Sequence, residues 1–332
     1  MTELTISTLA QQFRLHPDAV QFFLGARLAQ LKNDAKSLSD LRETMPAPLF
    51  HQITYNLDHV RRGKILCDIA LTKIGKRDNP KVLDIGCGIG GTLVAFGDAG
   101  FTLCGIELSE SRAEICKKNL GFNNYSADIY DVDLCVQGLD EKFDVVVCNS
   151  VIEHVNDPAA MIRTFKDLLT PGGVVIMGVA NCEALGNALS DPHYGMFGLT
   201  YTPPGVAEAL YRLLNGSQSY SVTEWKTIEW YRRQIERSVG FAELVYIDSD
   251  NRDLSAVPSL LKRLGDSFES AVKNEKLDRT PDLKNDLISA TAEYMGDVCH
   301  NYASAVASNL PPDIFIDRYI RKSFQIVGSL KD

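Results

Sequence analysis

The segment Lys81-Val-Leu-Asp-Ile-Gly-Cys-Gly-Ile-Gly-Gly91 constrains this chain more than any other. A short apolar run, Lys81 to Ile85, enters a turn with glycines at 86, 88 and 90, and a helical pattern opens at about Gly91. Glycine lets a backbone turn sharply and approach a ligand with no Cβ in the way. A buried strand that feeds such a turn and then a helix reads as a cofactor loop. In parallel α/β sheets, ligands lie beyond the carboxyl ends of the strands. Asp84, just before the turn, places an acid beside whatever enters.

The rhythm continues to about residue 180. Val82–Ile85, Thr102–Glu107, Asn124–Asp128, Phe143–Asn149 and Val174–Val179 read as strands. The candidate strand ends Gly86, Glu107, Asp128 and Asn149 fall 21 residues apart, a spacing that suits compact strand–helix units. Phe143–Cys148 is almost continuously apolar, as a strand buried on both faces must be. A helix from about 158 to 169 ends at Thr170-Pro-Gly-Gly173. Thr223–Val239 reads as a helix, Phe241–Ile247 as a sixth strand and Lys322–Leu330 as an edge strand beside it. The expected fold class is α/β: a Rossmann-like, doubly wound, mostly parallel seven-stranded sheet with helical N- and C-terminal additions. Residues 1–52 form an N-terminal helical cap or lid, broken from the next helix (53–75) at Met45-Pro-Ala-Pro48. Residues 53–180, 223–250 and 312–332 make the Rossmann-like cofactor domain, 181–222 an active-site insert and 251–311 a helical insert.

Charge narrows the partners. With 34 basic and 43 acidic residues the net charge is −9, which argues against nucleic acid and against an anionic membrane surface. No apolar run is long enough to span a bilayer, and Met1-Thr-Glu-Leu-Thr-Ile lacks the basic region and apolar core of a signal peptide. The eight cysteines are scattered without a CxxC pair, as expected of a reduced, cytoplasmic protein.

Two ligand classes use a loop of this kind. A dinucleotide wants G-x-G-x-x-G with its pyrophosphate on the helix N-terminus, and Gly86, Gly88 and Gly91 satisfy that pattern. S-adenosyl-L-methionine instead carries an ammonium and a sulfonium, for which Asp84 is useful. Asp84-Ile-Gly-Cys-Gly-Ile-Gly90 resembles the first motif of class I S-adenosylmethionine-dependent methyltransferases, and the likeness runs over roughly 80–250. Phe143-Asp-Val-Val-Val-Cys-Asn-Ser-Val-Ile-Glu-His-Val155 resembles the fourth-strand motif, and Leu168-Leu-Thr-Pro-Gly-Gly-Val174 the turn into the fifth strand. The ubiquinone-biosynthesis and small-molecule or sugar methyltransferases are the branch it comes nearest. The resemblance implies that Asp84, Gly86, Cys87, Gly88, Gly90, Glu107, Leu108, Asp128, Ile129, Asn149 and Ser150 bind the cofactor, whose product is S-adenosyl-L-homocysteine. In it Glu107 accepts both ribose hydroxyls, since a carboxylate is acceptor-only, while Asp128 and Ile129 flank the adenine.

The acceptor is expected where Asn149–Val155, the 181–222 insert and the N-terminal helices converge. Three candidate catalytic residues stand there. His154 follows the fourth strand and faces either the cofactor or the acceptor. His193, in Asp191-Pro-His-Tyr194, is either a general base oriented by Asp191 or a histidine bonded to loop backbone. Tyr194, with Phe197 and Tyr201, forms either an acceptor wall or the insert's own small core. No metal site is expected, because Glu153 and His154 would diverge on a helix. The function expected is methyl transfer to a small polar acceptor, most simply an oxygen of a sugar, sugar nucleotide or natural-product intermediate. Transfer to nitrogen or carbon, a nicotinamide-type oxidoreductase and a non-catalytic partner subunit are the alternatives. The helical additions also offer a homodimer surface.

Overall fold

The computed structural model describes residues 3–24, 42–43, 47–216, 220–246 and 254–330. The expected break at Met45 and the strand end at Ile247 lie outside them. Seven strands make one sheet: β1 Lys81–Ile85, β2 Thr102–Ile106, β3 Asp128–Tyr130, β4 Phe143–Asn149, β5 Leu169–Ala180, β6 Gly240–Val245 and β7 Ser323–Leu330. Their order is β3-β2-β1-β4-β5-β7-β6. The five from β3 to β5 run parallel, and β7 is antiparallel to both β5 and β6.

Four expectations need correction. β7 is not the edge strand: it lies between β5 and β6, which leaves β6 at the edge. Phe324, Ile326 and Val327 are all buried, so β7 is apolar on both faces and needs cover on both sides, whereas every residue of β6 keeps some exposure. β3 spans Asp128–Tyr130 rather than Asn124–Asp128, because the chain is still leaving the helix Glu110–Phe122 through Asn124, at φ 63°. The helix before β1 is two helices, Ala47–Leu57 and His59–Ile74, broken at Asp58. Thr170–Gly173 also enters β5 instead of preceding it, as an irregularity in the ladder between Phe143 and Val145.

Two cores cover the sheet. Val82, Leu103, Val145, Val147 and Ile176 face Leu9, Val20, Leu24, Leu57 and Leu93 on one side. On the other, Leu83, Cys104, Val146, Cys148 and Met177 face Ile162, Phe165, Tyr231 and Ile235. Described parts of the N-terminal cap are therefore joined to the sheet's core. The insert's helix Leu185–Leu189 packs with helices Val257–Val272, Pro281–Val306 and Pro312–Tyr319 in a third core built on Leu185, Ala188, Leu264, Val298 and Phe315. Leu264 thereby finds the cover that its helical spacing demands.

Candidate active site

The glycine turn sits at the carboxyl edge of the sheet, with Gly86, Gly88 and Gly90 at φ 68°, 56° and 79°. A Cβ on Gly86 would lie 2.4 Å from Val151 Cγ2, so the loop is pressed against the chain leaving β4. Cys87 is buried; its amide donates to the Ile106 carbonyl at 2.9 Å, which locks the turn to β2. Glu107, just past β2, is buried. Its Oε2 accepts from the Gly88 amide at 3.0 Å and its Oε1 from the Ser109 amide at 2.8 Å. Strand alternation puts Asp84 on the same face. Burial first, then the neighbouring Glu107 charge, pushes the Asp84 carboxyl up to about 8, while the Thr92 hydroxyl bonds it.

The remaining cofactor candidates scatter around this pair. Leu108 is 62% exposed beside Glu107, a large apolar side chain left open at the rim. Ile129 is half-buried and packs with the core on the Asp84 face. Asp128 opens β3, is exposed and alternates onto the other face. The acid at the rim of β3 is Asp131, since the Glu107 amide already donates to the Tyr130 carbonyl. Sequence reasoning passed over it because Asp128 and Asp131 share one short stretch, and only the strand limits separate them. Asn149 ends β4 over Gly178, where a Cβ would stand 1.8 Å from its Oδ1. Ser150 is exposed at φ 56°, and its amide donates to the Gly178 carbonyl at 3.0 Å.

The N-terminal helices close against this loop. His59 leaves no room for a Cβ on Gly91, and Phe23 stacks on its ring at 5.3 Å. Burial and the nearby Arg62 charge lower His59 to about 3, so it is neutral. Arg62 lies over the Tyr55 ring at 3.8 Å, and its buried Nε has no hydrogen-bond partner among the described residues.

Beyond β4 the chain makes a 3₁₀ turn, Ile152–His154, instead of entering a helix. That turn overturns the expected divergence of Glu153 and His154. His193 Nε2 lies 3.1 Å from His154 Nε2 and 3.5 Å from Glu153 Oε1. His154 Nδ1 is 2.8 Å from the Ser221 carbonyl, an acceptor-only group, so Nδ1 carries the proton and Nε2 keeps its lone pair. Glu153 is 1% exposed, its Oε2 has no partner among the described residues, and burial raises its pKa. Burial first, then the His154 charge, lowers His193 to about 4.

Asp191 does not orient the His193 ring. Its carboxylate accepts from the amides of His193, Tyr194 and Met196 at 2.8–3.0 Å, which folds the 191–196 loop and delivers the imidazole. Tyr194 stands aside: its hydroxyl is 2.9 Å from the Ser221 hydroxyl and accepts from the Ser221 amide, and its ring packs on Tyr211 and Tyr220. Trp225 lies 5.3 Å from the His193 ring and also lines a cavity of about 330 Å³. Thr200, Tyr201, Tyr220 and Tyr294 share its walls, and the buried Thr200 Oγ1 and Trp225 Nε1 have no partners among the described residues. Sequence reasoning named neither Trp225 nor Glu153 as a site group, because no local spacing connects them to His193.

With this geometry in place, comparison adds the family. Residues 49–200 match the family described as "Methyltransferase domain". The ubiquinone biosynthesis O-methyltransferase of Actinobacillus pleuropneumoniae is 37% identical over 107 residues, which cover 30% of this chain and 46% of that protein. Residues 49–200 are thus similar to a methyltransferase domain. The ubiquinone biosynthesis O-methyltransferase of Haemophilus ducreyi is 35% identical over 116 residues, covering 33% of this chain and 49% of its own. The chain thus spans about half the length of these curated relatives. Among solved structures, the YcgJ protein of Bacillus subtilis aligns with 82% of this chain and 99% of its own at 15% identity, with a TM-score of 0.46.

Proposed function

We propose that this protein binds S-adenosyl-L-methionine at the glycine turn and transfers its methyl group to an oxygen of a small polar acceptor. The observation that carries the reading is the pair of buried acids around the turn: Glu107 at the rim, gripping the Gly88 and Ser109 amides, and Asp84 behind it. Such a site suits a ligand with ribose hydroxyls and a cationic end: Glu107 would repel a pyrophosphate, and Asp84 gains its charge only when a cation arrives beside it. The unpartnered Arg62 Nε supplies a donor for the carboxylate of the methionine moiety, and exposed Leu108 an apolar surface for the adenine.

S-adenosyl-L-methionine supplies an electrophilic methyl on a sulfonium that is already a good leaving group. The protein's share is alignment and exclusion of water. Val151 against Gly86 ties the cofactor turn to the segment carrying Glu153 and His154, so His154 and His193 are the groups that meet the acceptor, with Tyr194 bracing the loop behind them. The cavity beside Trp225 takes the rest of the acceptor, which an aromatic or sugar ring would fill against Tyr201 and Tyr294. Oxygen is favoured because an imidazole held neutral by burial, as His193 is, can assist loss of a hydroxyl proton, and because the relatives cited are named as O-methyltransferases. The helical additions remain our candidate homodimer surface.

Calorimetry with S-adenosyl-L-homocysteine tests the reading. Micromolar or tighter binding, lost in Asp84→Ala and weakened in Glu107→Ala, is the expected result. Binding of NADH with no response to S-adenosyl-L-homocysteine would transfer the chain to the oxidoreductases. Full binding with no turnover on any acceptor, together with a co-purifying protein, would favour the partner-subunit reading.

A further inference from the structure

We propose that Glu153, His154 and His193 form a binding site for one divalent transition-metal cation, with open coordination positions toward the acceptor. The first argument is convergence. Three groups of metal-ligating type, one from each of Glu153, His154 and His193, present atoms within 4.8 Å of one another. An ion held at about 2.0–2.1 Å sets tetrahedral ligands roughly 3.4 Å apart and adjacent octahedral ones roughly 3.0 Å apart. The observed separations of 3.1 Å and 3.5 Å from His193 Nε2 are close to what a single shared ion requires.

A second observation is independent of that geometry. Glu153 Oε2 is buried with no partner, and among the described residues no lysine or arginine pairs with this carboxylate. A carboxylate 1% exposed needs a cation or a full set of hydrogen bonds, and its own amide and the imidazole contact at 3.5 Å still leave Oε2 without a partner among the described residues. A cation beside Nε2 would meet Glu153 and both histidines together. The support around the ligands fits as well. The Ser221 carbonyl holds the His154 Nδ1 proton and so aims the Nε2 lone pair inward, as outer partners do for metal-bound histidines. His193 Nε2 donates to the His154 Nε2 lone pair in the empty site, and His193 Nδ1, which has no partner among the described residues, is free to take that proton when a cation occupies Nε2. Asp191 fixes the loop that brings His193 in, at the cost of its own three amide bonds.

Two imidazoles and one carboxylate suit zinc, manganese or iron(II) rather than magnesium or calcium, and leave positions for other ligands. An acceptor hydroxyl bound there would lose its proton more readily and be held in line. That role rests on the methyltransferase reading, but the presence of the site does not.

The test uses the full chain, freed of metal by dialysis against a chelator and titrated with cobalt(II) chloride. One equivalent per chain, visible as cobalt d–d absorption and displaced by zinc chloride, is expected. Glu153→Gln and His193→Ala should each weaken binding at least tenfold. Far-ultraviolet circular dichroism and S-adenosyl-L-homocysteine binding in the same samples show that the variants are folded. A wild type that takes up no cobalt, or variants that take it up equally, would show a histidine–histidine hydrogen bond and nothing more. Cobalt binding without S-adenosyl-L-homocysteine binding would overturn the methyltransferase reading and leave the metal site standing; the reverse pattern would overturn only the metal site.

Discussion

Asp84 gives a quantitative prediction that links folding to cofactor capture. Its carboxyl stands at about 8 against an ordinary 3.8, an increase worth about 6 kcal/mol of disfavoured charge at 1.36 kcal/mol per unit. The folded protein therefore holds a proton here that the unfolded chain has lost, across the window from about pH 4 to 8. Where the native state binds the extra proton, stability falls as pH rises. Asp84→Asn should accordingly raise the unfolding midpoint of the ligand-free protein more at pH 8.5 than at pH 5. A ligand ammonium arriving beside Asp84 reverses the preference and expels the proton. Calorimetry with S-adenosyl-L-homocysteine in buffers of different ionisation enthalpy should show close to one proton released at pH 7. Affinity should rise close to tenfold per pH unit between 6 and 8 and flatten above. The same measurement on Asp84→Asn subtracts titration of the ligand's own amine. If wild type and variant release the same number of protons and bind with parallel pH profiles, Asp84 does not face the cofactor's cationic end.

Further substitutions test the scaffold. Gly178→Ala forces a Cβ onto Asn149 Oδ1 and should cost about 1–3 kcal/mol in chemical denaturation, with most of the loss in the β4–β5 ladder. Gly86→Ala meets Val151 in a left-handed turn and should abolish cofactor binding while the far-ultraviolet spectrum persists. Asp191→Ala frees three loop amides and should lower kcat through displaced His193, with S-adenosyl-L-homocysteine affinity unchanged in titration. Tyr294→Phe removes the hydroxyl's 2.8 Å bond to the Glu183 carbonyl and should cost about 1 kcal/mol by urea unfolding.

The sheet was legible because its signal is local. Each parallel strand is a short apolar run, and the helices between them keep the strand ends in step. The glycine turn and Glu107 were legible for the same reason, since a strand end positions its own next residue. What escaped was set by contacts distant in sequence. Nothing near Lys322 says that β7 slides between β5 and β6 instead of lying outside; burial on both faces decides it. The meeting of Glu153, His154 and His193 depends on a 3₁₀ turn replacing a helix and on Asp191 folding a loop about 40 residues away. Helical spacing measures angles along one element and is blind to both.

The antiparallel pair β6–β7 holds one more consequence. Strands paired this way are commonly joined by a few residues, yet here the chain leaves at Val245 and returns at Ser323, with helices Val257–Val272, Pro281–Val306 and Pro312–Tyr319 between among the described residues. Closing so long an excursion instead of a tight turn costs only roughly 3 kcal/mol, because the entropy grows with the logarithm of length. Those helices repay that by packing on Leu185 and Ala188 and walling the acceptor cavity through Tyr294. The hairpin therefore acts as a socket. On the methyltransferase reading, chains sharing this sheet and glycine turn would change their acceptor by exchanging the helices between Val245 and Ser323, with no strand pairing disturbed.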